Sequence, residues 1–262
     1  MRVRHGSTPA ASPYYVWAAI SNRPLASKVF DEFGRTLTDS WGSADSMQTW
    51  QTSGGTSADY DVLSGYGAHT LATTNVSRRA FIDQTYADVD ARVDIAVSAT
   101  ATGGFLSGSL TARHTDSDNM YMARVAFETP GAITLTLRER VAGAETQLGT
   151  FTHHRTYSAG TFFRVRFQVI GSALKAKVWR VGDPEPRWQI EVTDTSHAAT
   201  SYIGLRSISS SANTNVNPQV RYQNLRLENP QAYTVVRSEN DVVKTHDSGD
   251  SVSLTYPMIL AL

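Results

Sequence analysis

Alternation of apolar and polar residues is most regular in the middle of the chain, where it predicts a β-hairpin. Every second residue of Phe163–Val169 is apolar, and the residues between them are Arg or Gln. The alternation resumes in Leu174–Val178, after Gly171-Ser172, a pair that suits a tight turn. Successive side chains of a strand point to opposite faces. Both strands therefore have one buried face and one exposed face. Lys177 and Trp179 share the face opposite the apolar residues, where Lys177 is expected to be exposed and Trp179 to pack as an anchor of the hairpin.

The rest of residues 28–228 shows the same kind of pattern and predicts strands nearly throughout. In Val89–Ile95, for example, apolar residues alternate with Asp and Arg. Turn-forming Gly, Ser, Asp and Asn recur about every 8–12 residues, the spacing typical of a sandwich or barrel. A sheet with one apolar face needs a second layer to cover it. The sequence therefore predicts an all-β fold of two packed antiparallel sheets, with less than about one-tenth helix.

The two ends differ from this central region. Residues 1–27 predict an N-terminal arm that is interrupted by prolines, and residues 229–262 predict a small C-terminal β module. Exposed apolar clusters usually mark partner surfaces, so we expect both ends to attach the protein to a partner. The alternative is that both ends fold back onto their own domain. The expected attachment residues are Tyr14, Tyr15, Trp17, Ile259, Leu260 and Leu262.

Composition narrows the classes of function. The formal net charge of the 262 residues is zero, so a nucleic-acid partner has no bulk electrostatic support. Cysteine is absent, which excludes disulfides and thiolate metal sites. No apolar run approaches the roughly 20 residues of a membrane-spanning helix. We therefore expect neither nucleic acid binding nor a membrane span.

Four stretches resemble concanavalin A-like jelly rolls of the laminin-G/glucanase type. They are Asp31–Trp50, Ala176–Gln189, Tyr202–Ser207 and Val220–Glu228. The particular resemblance is to lectin-like modules of actinobacterial secreted proteins and of tail proteins of phages that infect those bacteria. It implies a jelly-roll sandwich of two antiparallel sheets over residues 28–228, with a concave face that holds glycans in many relatives.

The C-terminal stretch Tyr233–Leu262 is similar to a short ending that is common in minor tail proteins of such phages. This implies a virion tail protein whose partners are other tail proteins and the polysaccharide of the host cell surface. A tail is rotationally symmetric, so we expect a homo-oligomer, either a trimer or a ring. Two alternatives stay open: a glycoside hydrolase that acts on host cell-wall polysaccharide, and a secreted bacterial glycan-binding adhesin.

Three carboxylates are the strongest candidates for catalysis. Asp88, Asp90 and Asp94 share one strand face, and neighbouring same-face residues lie about 6.6–7 Å apart. This separation is near that of an inverting glycosidase pair. The other interpretation is a solvated strand face with Arg92 between the acids. The Glu-x-Asp-x-x-Glu run of the glucanase branch is absent, so we expect no catalytic residues and no enzymatic activity.

Ligand and metal sites are predicted in the region before the long strands. Trp41, Trp50, Tyr60 and Tyr66 lie in turn-rich sequence, where aromatic rings often contact ligands, and are the predicted glycan-binding residues.

Relatives often carry an Asp before the Asn of the last strand, where it can join an Asp near the first strand in a calcium site. Here that position is Gln223. Calcium prefers several carboxylate ligands, so we expect no cofactor. If calcium is bound, Asp31 and Glu32 are its ligands.

Overall fold

The structure is a computed structural model that describes residues 28–228 and the backbone of three short strands near the two ends of the chain. The chain divides into two compact units, one formed by Met1–Leu25 with Gln231–Leu262 and the other by Ala26–Pro230. We call the second unit the sandwich domain. No α-helix occurs in the described residues, and therefore none that could cross a membrane.

The described strands are β1 (Arg2–His5), β2 (Tyr15–Trp17), β3 (Val29–Asp31), β4 (Thr36–Leu37), β5 (Trp50–Ser53), β6 (Tyr60–Leu63), β7 (Gly67–Thr70), β8 (Arg78–Tyr86), β9 (Val89–Val97), β10 (Leu106–Asp116), β11 (Asn119–Phe127), β12 (Ile133–Val141), β13 (Ala144–His153), β14 (Phe163–Ile170), β15 (Ala173–Arg180), β16 (Ile190–Thr193), β17 (Ser201–Ser209), β18 (Gln219–Glu228) and β19 (Val252–Leu254). The described helical structure is a 3-10 turn at Ser57–Asp59.

Strands from both ends of the chain pair in one three-stranded sheet, with the order β19-β1-β2. Val3 pairs with Leu254, and both neighbours of β1 are antiparallel to it. The sequence analysis treated the two ends separately, as an arm and a module. Of the predicted attachment residues, Tyr15 and Trp17 lie in β2, whose side chains are not described. The other four, Tyr14, Ile259, Leu260 and Leu262, lie outside the described residues, so their role stays a prediction.

The sandwich domain consists of two antiparallel sheets, which confirms the predicted fold class. The seven-stranded sheet has the order β13-β12-β11-β10-β17-β8-β5, and the nine-stranded sheet has the order β16-β15-β14-β9-β18-β7-β6-β4, with β3 also paired to β18. The core lies between the sheets. A side chain at Gly108 of β10 would come within 2.7 Å of Ile95 and 2.9 Å of the Tyr222 hydroxyl. Glycine is therefore required where the two sheets approach each other.

The chain enters and leaves the sandwich domain at adjacent positions. Val29 of β3 pairs with Leu227 of β18, and the Lys28 amide donates a hydrogen bond to the Leu227 carbonyl at 2.7 Å. The first and last strands of the domain are thus direct neighbours in the nine-stranded sheet.

The predicted hairpin is present as β14 and β15, with Phe163 opposite Arg180 and Ile170 opposite Ala173. The expected exposure of Lys177 was wrong, since its side chain is buried, and Trp179 on the same face is buried as well. The loop between β15 and β16 covers them. The Lys177 ammonium lies 3.0 Å from the Pro186 carbonyl and 4.4 Å from the centre of the Trp188 ring.

Candidate functional site

The outer face of the seven-stranded sheet is unusually well covered. In β10, Leu106 and Leu110 belong to the core, so Ser107, Ser109 and Thr111 point to the opposite side. All three outward side chains are nevertheless at most 1% exposed. Longer side chains of the neighbouring strands therefore rise around them, and the outer face is recessed.

A cleft of about 750 Å³ opens on this face. Its charged lining residues are Arg79, Arg124, Arg140, Arg206 and Glu145, and we call it the arginine cleft. The strand register brings three of these arginines together, because Ser109 pairs with Arg206 on one side and with Arg124 on the other, and Arg206 pairs with Arg79. A short serine between two arginines leaves open space above the middle of the sheet.

Glu145 is the one carboxylate among the lining residues. Its oxygens lie 3.0 Å from Arg206, 3.2 Å from Arg138, 3.5 Å from Arg140 and 3.6 Å from Arg124. Burial raises the pKa of Glu145, but the four arginines, Arg206 above all, outweigh burial and hold the pKa below its usual value. Glu145 is therefore a carboxylate at neutral pH.

The contact between Glu145 and Arg206 also shows that the sheet curls. Their strands, β13 and β17, are separated by β12, β11 and β10. Four strand spacings of about 4.8 Å each would place β13 and β17 about 19 Å apart in a flat sheet. Because the two side chains meet at 3.0 Å, the outer face is concave.

The positive charge of the arginines in the cleft exceeds the negative charge of the carboxylates around them. Burial lowers the pKa of Arg206 to about 10, and Arg79, Arg140 and Arg124 lower it while Glu145 raises it. Burial likewise lowers the pKa of Arg79, helped by Arg140, and the pKa of Arg124, helped by Arg138. An anion bound in the cleft would reverse these effects.

Several buried polar atoms on this face lack a hydrogen-bond partner within the described part of the chain. They are Arg79 Nε, Arg124 Nε, Thr111 Oγ1 and Thr136 Oγ1. Buried polar groups in folded proteins are normally hydrogen-bonded. Of these residues, Arg79 and Arg124 line the cleft.

Three of the four aromatic residues predicted to bind glycan lie in the hydrophobic core. Trp41 is 0% exposed, Trp50 5% and Tyr60 2%. The two tryptophans pack edge to face with ring centres 5.1 Å apart, and Trp41 Nε1 donates to the Ala68 carbonyl at 3.2 Å. A buried ring offers no face to a sugar, so these residues serve the core and do not contact ligand.

Tyr66, the fourth predicted residue, is half-buried. The guanidinium of Arg221 lies 4.7 Å from the centre of its ring. Tyr66 is not among the residues that line the arginine cleft.

The two residues named as calcium ligands have separate partners. Asp31 is fully buried and accepts four hydrogen bonds, two from Arg35, one from the Phe33 amide and one from Trp50 Nε1, all at 2.8–2.9 Å. Glu32 is exposed and pairs with Arg226. In residues 28–228, no group of three or more His, Asp or Glu side chains is placed to hold a metal ion.

The carboxylates considered for catalysis lie on the outer face of the nine-stranded sheet, away from the arginine cleft. Asp90 accepts hydrogen bonds from Nε and Nη2 of Arg166, both at 2.8 Å. Asp94 accepts hydrogen bonds from the same two atoms of Arg164. Asp94 is fully buried. The alternative interpretation of these acids, a solvated strand face, is therefore wrong for this part of the strand. Paired arginines therefore account for these acids.

The arginines of the cleft are not conspicuous in the sequence. Arg124 lies between the apolar residues Ala123 and Val125, whereas Arg79, Arg140 and Arg206 each have one polar neighbour. Such a pattern marks an outward face of a strand, but it does not reveal which outward faces come together. Only the register of five strands and the curl of the sheet assemble the site.

The chain is similar to known proteins in its fold. No family model matches this chain, and neither does any curated protein. A glycosyl hydrolase family protein from Mycobacterium fortuitum has a TM-score of 0.52 and 11% identity, over 78% of this chain and 100% of that chain. A β-glucanase from Bacillus licheniformis has a TM-score of 0.51 and 12% identity, over 77% of this chain and 97% of that chain.

A β-1,3-glucanase from Mycobacterium marinum is similar to the same extent, with a TM-score of 0.51 and 11% identity over 79% of this chain and 100% of that chain. These similarities show the fold of the sandwich domain. It is a concanavalin A-like jelly roll, as the sequence resemblance implied.

Proposed function

We propose that the sandwich domain is a glycan-binding module without catalytic activity, and that the arginine cleft is its binding site. The observation that carries this proposal is the cleft itself. Its volume of about 750 Å³ falls within the range of small-ligand sites, and its lining includes several serines besides the four arginines. The guanidinium groups and serine hydroxyls of the lining offer the hydrogen bonds that sugar hydroxyls require.

The carboxylate chemistry of the cleft supports binding over hydrolysis. Glycosidases generally need two carboxyl groups, one of which has a raised pKa so that it can donate a proton. Glu145 is the one carboxylate among the described lining residues, its pKa is lowered, and arginines occupy both of its oxygens. The three similar structures are named as hydrolases, which favours sugars as the ligand class, but a fold alone does not determine an activity.

A glycan array with matched variants tests the proposal. Ser211→Trp and Val76→Trp each place a large ring in the cleft at an exposed lining residue, and Val76 is 38% exposed. Both variants should lose the glycan signals of the unmodified chain. Asp88→Asn/Asp90→Asn alters the other sheet and should retain them. Thermal melting of each variant establishes that it is folded.

Two results would contradict the proposal. One is glycan binding that survives in folded Ser211→Trp and Val76→Trp, and the other is the absence of any glycan signal. A reducing-sugar assay on every bound polysaccharide should detect no release. Release that disappears in Glu145→Gln would favour the alternative, a glycoside hydrolase.

We propose further that the module works in a phage tail, present in several copies and bound to other tail proteins and to host cell-surface polysaccharide. The resemblance of Tyr233–Leu262 to minor tail proteins supports this assignment. Several copies would raise avidity for a repetitive surface by roughly 10²–10⁴ without new contacts. Mass spectrometry of purified virions should detect the chain. Its absence from particles would favour the secreted adhesin.

A further inference from the structure

We propose that the arginine cleft recognises an acidic group of its glycan, an oxyanion such as a carboxylate, phosphate or sulfate. This inference rests on the proposed function and narrows it to acidic polysaccharides. The cleft is lined by four arginines and one glutamate, whereas the whole chain has a formal net charge of zero. The surplus positive charge is therefore local to the cleft, where charge-assisted hydrogen bonds to an oxyanion are strong.

Glu145 demonstrates that arginines of the cleft bind an oxyanion. Its carboxylate lies within 3.6 Å of Arg124, Arg140 and Arg206 of the cleft and of the adjacent Arg138. Arg140 also donates to the Ser117 carbonyl and to Asp118, and Arg206 donates to Ser77 Oγ, but each guanidinium carries five N–H groups and donors are left over. The cleft can therefore accept a second oxyanion beside Glu145.

Arg79 and Arg124 have the largest unused capacity. Arg79 Nε is buried without a partner in the described residues, and Arg79 Nη2 reaches only the Ser117 carbonyl, at 3.4 Å. Arg124 Nε is also buried without a partner, and the nearest Glu145 oxygen is 3.6 Å from Arg124 Nη1. A hydroxyl of a neutral glycan could accept hydrogen bonds from the terminal Nη atoms of these two residues. An oxyanion accepts them and also offsets the charge.

The shape of the site favours a polysaccharide over a nucleic acid. The arginines line a recess in a concave sheet, and several of their neighbours are less than 2% exposed. Duplex nucleic acid is instead bound by basic groups distributed along an accessible surface. A flexible acidic sugar chain can place one substituent in such a recess.

Three matched pairs of polysaccharides test the inference with the full chain. They are polygalacturonate and its methyl ester, dextran sulfate and dextran, and phosphomannan and mannan. Isothermal titration calorimetry at about 0.15 M salt should give at least tenfold tighter binding for one acidic member than for its neutral partner, and the preferred pair identifies the oxyanion. The preference should disappear in Arg79→Gln/Arg124→Gln and increase severalfold in Glu145→Gln.

Arg180→Gln/Arg187→Gln removes the same charge at exposed positions outside the cleft and should keep the preference. Equal affinity within every pair would overturn the inference but leave the proposed function standing if the glycan-array signals still depend on the cleft. Binding to none of the six probes, or a preference that persists in folded Arg79→Gln/Arg124→Gln, would also overturn it. So would tighter binding to duplex DNA than to every acidic polysaccharide.

Discussion

Trp50 Nε1 lies 2.8 Å from Asp31 Oδ2, and both side chains are buried. The indole N–H thereby occupies one of the acceptor positions of a carboxylate that Arg35 already binds at two atoms. The hydrogen bond also fixes the orientation of the Trp50 ring, which packs against Trp41. One buried acid therefore connects the first strand of the domain with its aromatic core.

Replacement of this acid should destabilise the fold. Asp31→Asn keeps the size of the side chain but removes the negative charge that balances Arg35. We expect the free energy of unfolding to fall by about 2–3 kcal/mol, as measured by urea denaturation. Glu32→Gln is the matched control, since the Glu32 side chain is 59% exposed and should change stability by less than about 0.5 kcal/mol. Equal effects of the two substitutions would contradict this account.

Calcium should affect stability little. All four hydrogen bonds to Asp31 come from N–H donors of the protein, and a metal ion would have to displace some of them. We expect calcium or a chelator to shift the melting temperature by less than about 1 °C. Magnesium at the same concentration controls for ionic strength. A calcium-specific rise of several degrees would show that Asp31 and Glu32 suffice as ligands.

Removal of the central carboxylate of the cleft should also cost stability. Glu145→Gln leaves four arginines facing one another, and we expect a loss of about 2 kcal/mol because the group is only partly buried. A double-mutant cycle with Arg206→Gln should give a smaller loss than the sum of the single variants. Glu191→Gln is the control, since Glu191 pairs with Lys175 and is 43% exposed. Strictly additive losses would mean that Arg206 and Glu145 do not interact.

Acid should destabilise the domain through His69. Its ring is fully buried, with Nδ1 2.9 Å from Ser207 Oγ, and burial, helped by Arg78, lowers the pKa of His69 from 6.5 to about 3. Below pH 6.5 the unfolded chain binds a proton that the folded chain does not bind. The stability present above pH 6.5 is therefore lost as the pH falls toward 3, by up to about 1.4 kcal/mol per pH unit.

Urea denaturation at pH 7 and pH 5 measures this dependence. In His69→Gln the loss of stability between the two pH values should be about 2 kcal/mol smaller than in the unmodified chain. The exposed His154 provides the control, because it acts only by helping to lower the pKa of its neighbour His153, and His154→Gln should reduce the loss far less than His69→Gln does. The same loss in all three proteins would rule out His69 as its source.

Residues 28–228 should fold without the two ends. This segment contains the two sheets and the core between them. We expect it to melt cooperatively, to give a β-type circular dichroism spectrum and to retain glycan binding. If the ends attach the protein to copies of itself, sedimentation should show that only the full chain self-associates. A fragment that does not melt cooperatively, or an association that persists in it, would contradict these expectations.

The sequence was sufficient for the fold because the strands alternate regularly. In Phe163–Val169 the burial alternates residue by residue as the pattern predicts. The hairpin turn is equally local, since Gly171 has a φ of 55°, which glycine adopts without strain. Such features depend on neighbours in the sequence.

The candidate site could not be predicted in the same way. The turn-rich composition around Trp41 and Tyr60 suggested exposed loops, but Trp50 in β5, Tyr60 in β6 and Trp41 between β4 and β5 all lie in the core. Arg124 and Arg206 meet Glu145 from distant parts of the sequence, through the order of the strands and the curl of the sheet. Both results depend on tertiary pairing, which alternation within one strand does not specify.

The pairing of Val29 with Leu227 has a consequence for engineering and for evolution. A domain whose entry and exit points are adjacent can be placed in a surface loop of another protein without stretching the host backbone. Transfer of residues 28–228 into such a loop should therefore carry the arginine cleft intact. The same geometry would let a single recombination event move this domain from one protein into an unrelated one.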